Sequence, residues 1–186
     1  MKEYAIFDLD GTLIDSFECI CRNINKTLVY FNCPKCTDSQ FEVFRNKDLS
    51  ELFSYAVETT NGTVSMSLFK SIFDKMHYED CLDGVTIIPQ AKRLLDDAIQ
   101  KGLGIIVLTN KRQEIAEKIC SILFTHNTFE YIIGRSDIFT SKYDNITSSL
   151  SKYQVWSTQC LFLCGNDNID AEVAKLLNIG YFAITN

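Results

Sequence analysis

Asp8 and Asp10 stand two residues apart at the end of a short apolar run, Tyr4-Ala5-Ile6-Phe7, and are followed by Gly11 and Thr12. In an extended chain residues i and i+2 point the same way, so this spacing brings two carboxylates to one side. Adjacent carboxylates repel, and a bound hard dication is the economical compensation. Magnesium prefers oxygen ligands and bridges protein carboxylates to the oxygens of a substrate phosphate. With that charge neutralised, Asp8 would attack phosphorus. Asp10 would protonate the departing alkoxide and then take a proton from the attacking water.

Two later segments carry matching residues. Thr109 and Asn110 close the apolar run Gly104 to Leu108 and precede a helical pattern. There a hydroxyl and free backbone N–H groups would converge on phosphoryl oxygens, and Lys142 would add a positive charge. Cys164-Gly165-Asn166-Asp167-Asn168-Ile169-Asp170 supplies a further acidic cluster after another apolar run, suited to a metal platform.

The elements that must position these residues are legible from periodicity. Tyr4 to Phe7 reads as a buried strand, and Phe17, Ile20, Cys21, Ile24 and Leu28 recur at helical spacing. Asp15 with Glu18 has capping-box spacing, so a helix is expected from about Ser16 to Tyr30. From Asn32 to Cys81 only helical patches occur, such as the stripe Leu68, Phe69, Ile72, Phe73 and Met76. Asp83-Gly84 signals a turn, and Pro89 opens a helix whose end Gly102 marks.

The period then alternates. Strands are expected at 104–108, 131–133, 160–164 and 181–184, and helices at 112–123, 145–153 and 169–177. Strands alternating with helices mean an α/β fold, here a Rossmann-like parallel five-stranded sheet with helices on both faces. Residues 1–15 plus 83–186 would form this core, and 16–82 an inserted all-helical cap. In open parallel sheets ligands bind beyond the carboxyl ends of the strands, where Asp8, Thr109 and Asn166 fall.

The 186 residues suffice for one well-buried core with an insert. Hydrophobic residues are 46% and charged residues 23%, ordinary globular values, and the net charge of −6 comes with no lysine or arginine run. The field that would attract a nucleic acid polymer or an anionic membrane is missing. No run of 18 apolar residues and no signal-peptide segment before the first strand give a soluble, cytoplasmic protein as the expectation. Of the eight cysteines, Cys19 and Cys21 form a C-x-C and Cys33 and Cys36 a C-x-x-C. Two positions on a helix point about 200° apart, so Cys19 and Cys21 cannot share one metal without distortion. His77 and His126 are expected at the surface or in the cap, without a role.

Asp8-Leu9-Asp10-Gly11-Thr12-Leu13-Ile14-Asp15-Ser16 is similar to the first signature of haloacid dehalogenase superfamily phosphatases, and the later motifs follow in family order and spacing over essentially the whole chain. The resemblance implies Asp8 as nucleophile and Asp10 as acid/base and magnesium ligand through its backbone carbonyl. It implies Thr109 as phosphate binder, Lys142 as stabilising cation and Asp170 as the second family acid. Gly11, Thr12 and Asn110 join as phosphate-binding candidates, and Asp8, Asp10, Asn166, Asp167 and Asp170 as metal candidates. The helical insert looks like the mobile cap of the phosphoglycolate phosphatase and beta-phosphoglucomutase branch, in which the cap selects the substrate. Arg45 and Lys47 fall where such caps present a substrate-facing loop. Asp10 argues against a dehalogenase, because expelling halide needs no proton donor.

The expected function is magnesium-dependent hydrolysis of a small phosphorylated metabolite, a phosphate monoester of phosphoglycolate, sugar phosphate or nucleotide type. Two departures bear on it. Asn166 stands where the family has an aspartate, and Tyr143 stands where a proline usually follows the lysine. An amide oxygen ligates magnesium without adding charge. A catalytically weakened binding or regulatory protein, and a phosphoglucomutase-like transferase, are the alternatives.

Overall fold

The computed structural model describes residues 2–45, 47, 49–135 and 141–184. The chain divides into two compact units, Met1–Asp15 with Thr86–Asn186, and Ser16–Val85.

The first unit is built on a five-stranded sheet: β1 (Tyr4–Phe7), β4 (Gly104–Arg112), β5 (Tyr131–Arg135), β6 (Cys160–Gly165) and β7 (Gly180–Ala183), in the order β5-β4-β1-β6-β7. Every pairing is parallel, with Tyr4 opposite Gly104 and Phe7 opposite both Val107 and Cys164. All four residues of β1 are buried, as a central strand covered on both faces requires.

Tyr4, Ile6, Ile106, Leu108, Ile133 and Leu163 pack with α7 (Lys142–Lys152) and α8 (Asn168–Leu177) through Ile146, Leu150, Val173 and Leu177. The alternate residues Ala5, Phe7, Ile105 and Val107 are also buried and point to the opposite face. There α5 (Pro89–Gln100) and α6 (Gln113–Leu123) lie against β4 and bury Ala91, Leu95, Ile115 and Ile119. The expected Rossmann-like α/β sheet with helices on both faces is therefore the observed one.

Several local expectations need correction. Asp15 does not cap the first helix. It belongs to β2 (Ile14–Asp15), which pairs antiparallel with β3 (Thr86–Ile87), two strands too short to show a period. The third helix of the core begins at Lys142 rather than Asn145, because the Ser141 hydroxyl accepts the Asp144 N–H at 3.0 Å and starts it early. β4 continues past Leu108 to Arg112 through an irregularity that no apolar pattern marks.

The second unit contains α1 (Phe17–Tyr30), α2 (Asp38–Glu42), α3 (Leu49–Glu58) and α4 (Met66–Asp80). Its core joins Ile20, Ile24 and Leu28 of α1 to Leu52 and Ala56 of α3 and to Phe69 and Phe73 of α4. Thr37 and Gln40 form a reciprocal capping box on α2, and the Ser65 hydroxyl caps α4. The buried row on α4 is Phe69, Phe73, His77, at successive i+4 positions, while Leu68 is exposed. His77 is thus no surface residue. It stacks on Phe73 with centroids 5.1 Å apart, and its Nδ1 lies 3.1 Å from Asn23 Nδ2. All eight cysteines are free thiols. Among the described residues no helix is long and apolar enough to cross a membrane.

Candidate active site

The carboxyl ends of β1, β4 and β6 gather the charged residues of the core unit. The Asp8 N–H donates to the Cys164 carbonyl at 2.8 Å, carrying the β1–β6 pairing one residue beyond β1. The chain then turns tightly, with the Thr12, Leu13 and Ile14 N–H groups all directed at the Leu9 carbonyl. Gly11 sits in this turn at φ +76°, and a Cβ there would run into the Asn166 side-chain amide. Glycine answers both demands, left-handed backbone and close approach. Thr12 is fully buried and donates its hydroxyl to Asn166 Oδ1 at 3.1 Å.

Lys142, the first residue of α7, reaches across with its Nζ 2.6 Å from Asp8 Oδ1 and 2.5 Å from Asp170 Oδ1. All three side chains are buried. Asp170 lies in the first turn of α8, and its backbone N–H donates to Asp167 Oδ1 at 2.8 Å, making Asp167 the helix cap. Asp170 Oδ2 accepts the Asn166 N–H at 3.3 Å. Gly165 permits this packing, since a Cβ there would overlap the Asp170 side chain.

Burial pushes the Asp8 carboxyl up to about 8; Lys142 pulls it down, and the neighbouring Asp170 and Asp10 push it further up. Asp170 is raised for the same leading reason, with Lys142 opposing. Burial alone would lower the Lys142 ammonium, yet the two carboxylates and their hydrogen bonds hold it above the ordinary lysine value.

At the end of β4, Thr109 is buried and its hydroxyl accepts the Lys111 N–H at 3.1 Å, while Asn110 is exposed. Lys111 places its Nζ 3.0 Å from Asp10 Oδ1, with the lysine side chain 6% and the aspartate 17% exposed. The reading of the sequence missed Lys111. The available signal was parity: in an extended segment it shares a side with Thr109.

Asp8, Asp10, Gly11, Thr12, Thr109, Lys142, Asn166, Asp167 and Asp170 thus occupy one region of the core unit. Arg45 and Lys47 belong to the helical unit. Arg45 pairs with Glu42 at 2.6 Å and lies over the Phe17 ring, and Lys47 stands 3.8 Å from Glu51. A cavity of about 330 Å³ lined by Lys2, Gly104, His126 and Glu130 opens at the opposite, amino-terminal edge of the sheet, away from these carboxylates.

Among the described residues no three His, Cys, Asp or Glu side chains form a metal-holding group. Magnesium does not need one, since it is commonly held by one or two carboxylates with waters and substrate phosphate completing the shell. Asp8 and Asp170 offer carboxylate oxygens, and Asn166 an amide oxygen. Both carboxyls are raised by burial first and by neighbouring carboxylates after it, so a further positive charge beside them would favour their ionised form. The donor set fits a hard dication.

The sequence profile of the haloacid dehalogenase-like hydrolases matches residues 5–184, and the chain belongs to that family. It is 26% identical over 139 residues to the phosphoglycolate phosphatase of Yersinia pestis, an alignment covering 73% of this chain and 60% of that protein. It is 26% identical over 176 residues to the phosphoglycolate phosphatase of Aquifex aeolicus, covering 91% and 78%. The chain therefore spans about 60% of the length of the Yersinia relative. A haloacid dehalogenase-like family hydrolase from Streptococcus pneumoniae superposes with a TM-score of 0.76 at 23% identity, covering 99% of this chain and 85% of that one.

Proposed function

We infer that this protein is a magnesium-dependent phosphatase that hydrolyses a small phosphate monoester through an aspartyl-phosphate on Asp8. The observation that carries the reading is the lysine-bridged pair Asp8–Lys142–Asp170 at the carboxyl edge of the sheet, with Asp10 two residues from the nucleophile. The relatives named phosphoglycolate phosphatase support a small phosphate monoester as the substrate class; phosphoglycolate, a sugar phosphate and a nucleotide are the candidates within it.

In this reading Asp8 attacks phosphorus while Lys142 and the Thr109 hydroxyl hold the charge that develops on the phosphoryl oxygens. Gly11, Thr12 and Asn110 are the further phosphate-binding candidates, of which Asn110 faces outward at the end of β4. Asp10 gives its proton to the leaving oxygen as the P–O bond breaks, then takes one from the water that hydrolyses the acyl phosphate. Asp8, the Asp10 carbonyl, Asn166 and Asp170 would hold magnesium, with Asp167 set back as the cap of α8. Bound magnesium supplies Lewis-acid polarisation of the phosphate and relief of the crowded carboxylates. The helical unit is assigned substrate selection, with Arg45 and Lys47 as its candidates for binding an anionic leaving group.

The test is phosphate release from p-nitrophenyl phosphate and a panel of metabolite monoesters, with and without magnesium, beside Asp8→Asn. Turnover that needs both Asp8 and magnesium is the expected result. Turnover that survives in Asp8→Asn would sink the reading, as would none in the unaltered protein at saturating magnesium.

A further inference from the structure

The end of β4 contains a local distortion with a clear output. Leu108 pairs with Ile133 and Arg112 with Arg135, so four steps along β4 answer two along β5. A bulge of this kind re-aims side chains, and such bulges occur beside active sites. Here Thr109 turns in and is buried, Asn110 turns out, and Lys111 turns in with its side chain almost wholly buried. The Thr109 hydroxyl accepts the Lys111 N–H and ties the two inward residues together.

An exposed ion pair would count for little, since solvent screens it and two flexible side chains must be ordered. The Lys111–Asp10 pair is not exposed. Burying an ammonium is costly without a partner, so the bulge that drives Lys111 inward ties its position to that of Asp10. The two carboxylates of the first loop are thus held by separate lysines from separate elements, Asp8 by Lys142 of α7 and Asp10 by Lys111 of β4.

Resting on the phosphatase reading, we propose that Lys111 is a positioning residue that fixes the Asp10 carboxylate for proton transfer to the leaving group. Lys111 holds Asp10 Oδ1, and Oδ2 carries the proton that passes to the ester oxygen as the P–O bond breaks. The same oxygen recovers a proton from water in the second half-reaction. A carboxylate that swings loses contact with the leaving oxygen, and misplacement by about 1 Å can cost on the order of 100-fold in rate.

The experiment compares two esters of nearly the same shape, p-nitrophenyl phosphate and phenyl phosphate. Nitrophenolate departs with little need of a proton, and phenolate needs one more. In Lys111→Met, kcat/KM, which reports phosphoryl transfer and leaving-group departure alone, should fall at least tenfold further for phenyl phosphate than for p-nitrophenyl phosphate. Lys111→Arg should recover most of the loss. In an Asp10→Asn background Lys111→Met should cost nothing further, because the two act as a unit. Lys111→Gln carries the same comparison if the methionine variant does not fold, as judged by its thermal transition. Equal losses on both esters, or additive losses in the double variant, overturn the proposal alone. Absence of Asp8-dependent turnover in the unaltered protein overturns the phosphatase reading, and this proposal with it.

Discussion

The Lys142 ammonium lies 2.6 Å from the Asp8 carboxylate and, at the same time, 2.5 Å from that of Asp170, with all three side chains out of water. Removing the lysine leaves two buried carboxylates without their cation. Lys142→Met should destabilise the metal-free protein by about 3–5 kcal/mol at pH 8, read from urea unfolding, and should reduce turnover by about 100-fold or more. The stability loss should shrink at pH 5, where Asp8 holds its proton. A loss under 1 kcal/mol at pH 8 would mean the contact does not persist in solution.

The raised carboxyls set a pH dependence whose sign is fixed. A carboxyl whose folded pKa exceeds its unfolded value binds the extra proton in the native state. Its stabilising contribution is complete below the ordinary value of 3.8 and is lost as pH rises through the folded value, about 8 for Asp8. Metal-free protein should therefore lose stability between pH 5 and pH 8, by about 3–4 kcal/mol. Magnesium should stabilise more at pH 8 than at pH 5, and Asp8→Asn should flatten the profile. Denaturant titrations at the two pH values decide it.

Asn166 holds its amide between the Thr12 hydroxyl and the Gly11 backbone. In Asn166→Asp the hydroxyl can still donate, and a full charge is added beside Asp170. The magnesium concentration for half-maximal turnover should fall by roughly threefold or more, since ligand charge governs affinity for hard cations. The metal-free melting temperature should fall as well. An unchanged metal dependence would remove Asn166 from the ligand set.

Gly165→Ala places a methyl group where the Asp170 side chain lies. Overpacking of this kind costs about 1–3 kcal/mol, and the shift would part Asp170 from Lys142. Turnover should fall while the far-UV circular dichroism spectrum is kept. A variant with normal turnover would show that the loop gives way harmlessly.

The strand–helix alternation was readable because buried parallel strands and amphipathic helices write strong periods, and Asp8, Thr109 and Asn166 were readable because each directly follows such a run. What stayed hidden lacks a period. The two-residue strands Ile14–Asp15 and Thr86–Ile87 are too short to have one. The start of α7 turns on a single serine cap, which alone moved Lys142 from loop to helix. Lys111 depends on a bulge, a feature of pairing between strands that no single segment discloses. His77 replaces an apolar residue in a core row, so its burial contradicts its residue type.

The placement of β1 has a bearing on how the chain reaches its native state. This strand precedes every other element in chain order, yet it pairs only with β4 and β6, which follow the whole helical unit. Its partners must close large loops, which is slow, whereas the contacts between α1, α3 and α4 span shorter stretches. In pulse-labelled hydrogen exchange during refolding, the amides of Ile24 and Leu52 should gain protection before those of Ile6 and Phe7; the reverse order would refute this sequence of events. Asp8, at the end of that strand, then takes its position only when the rest of the molecule has been assembled around it.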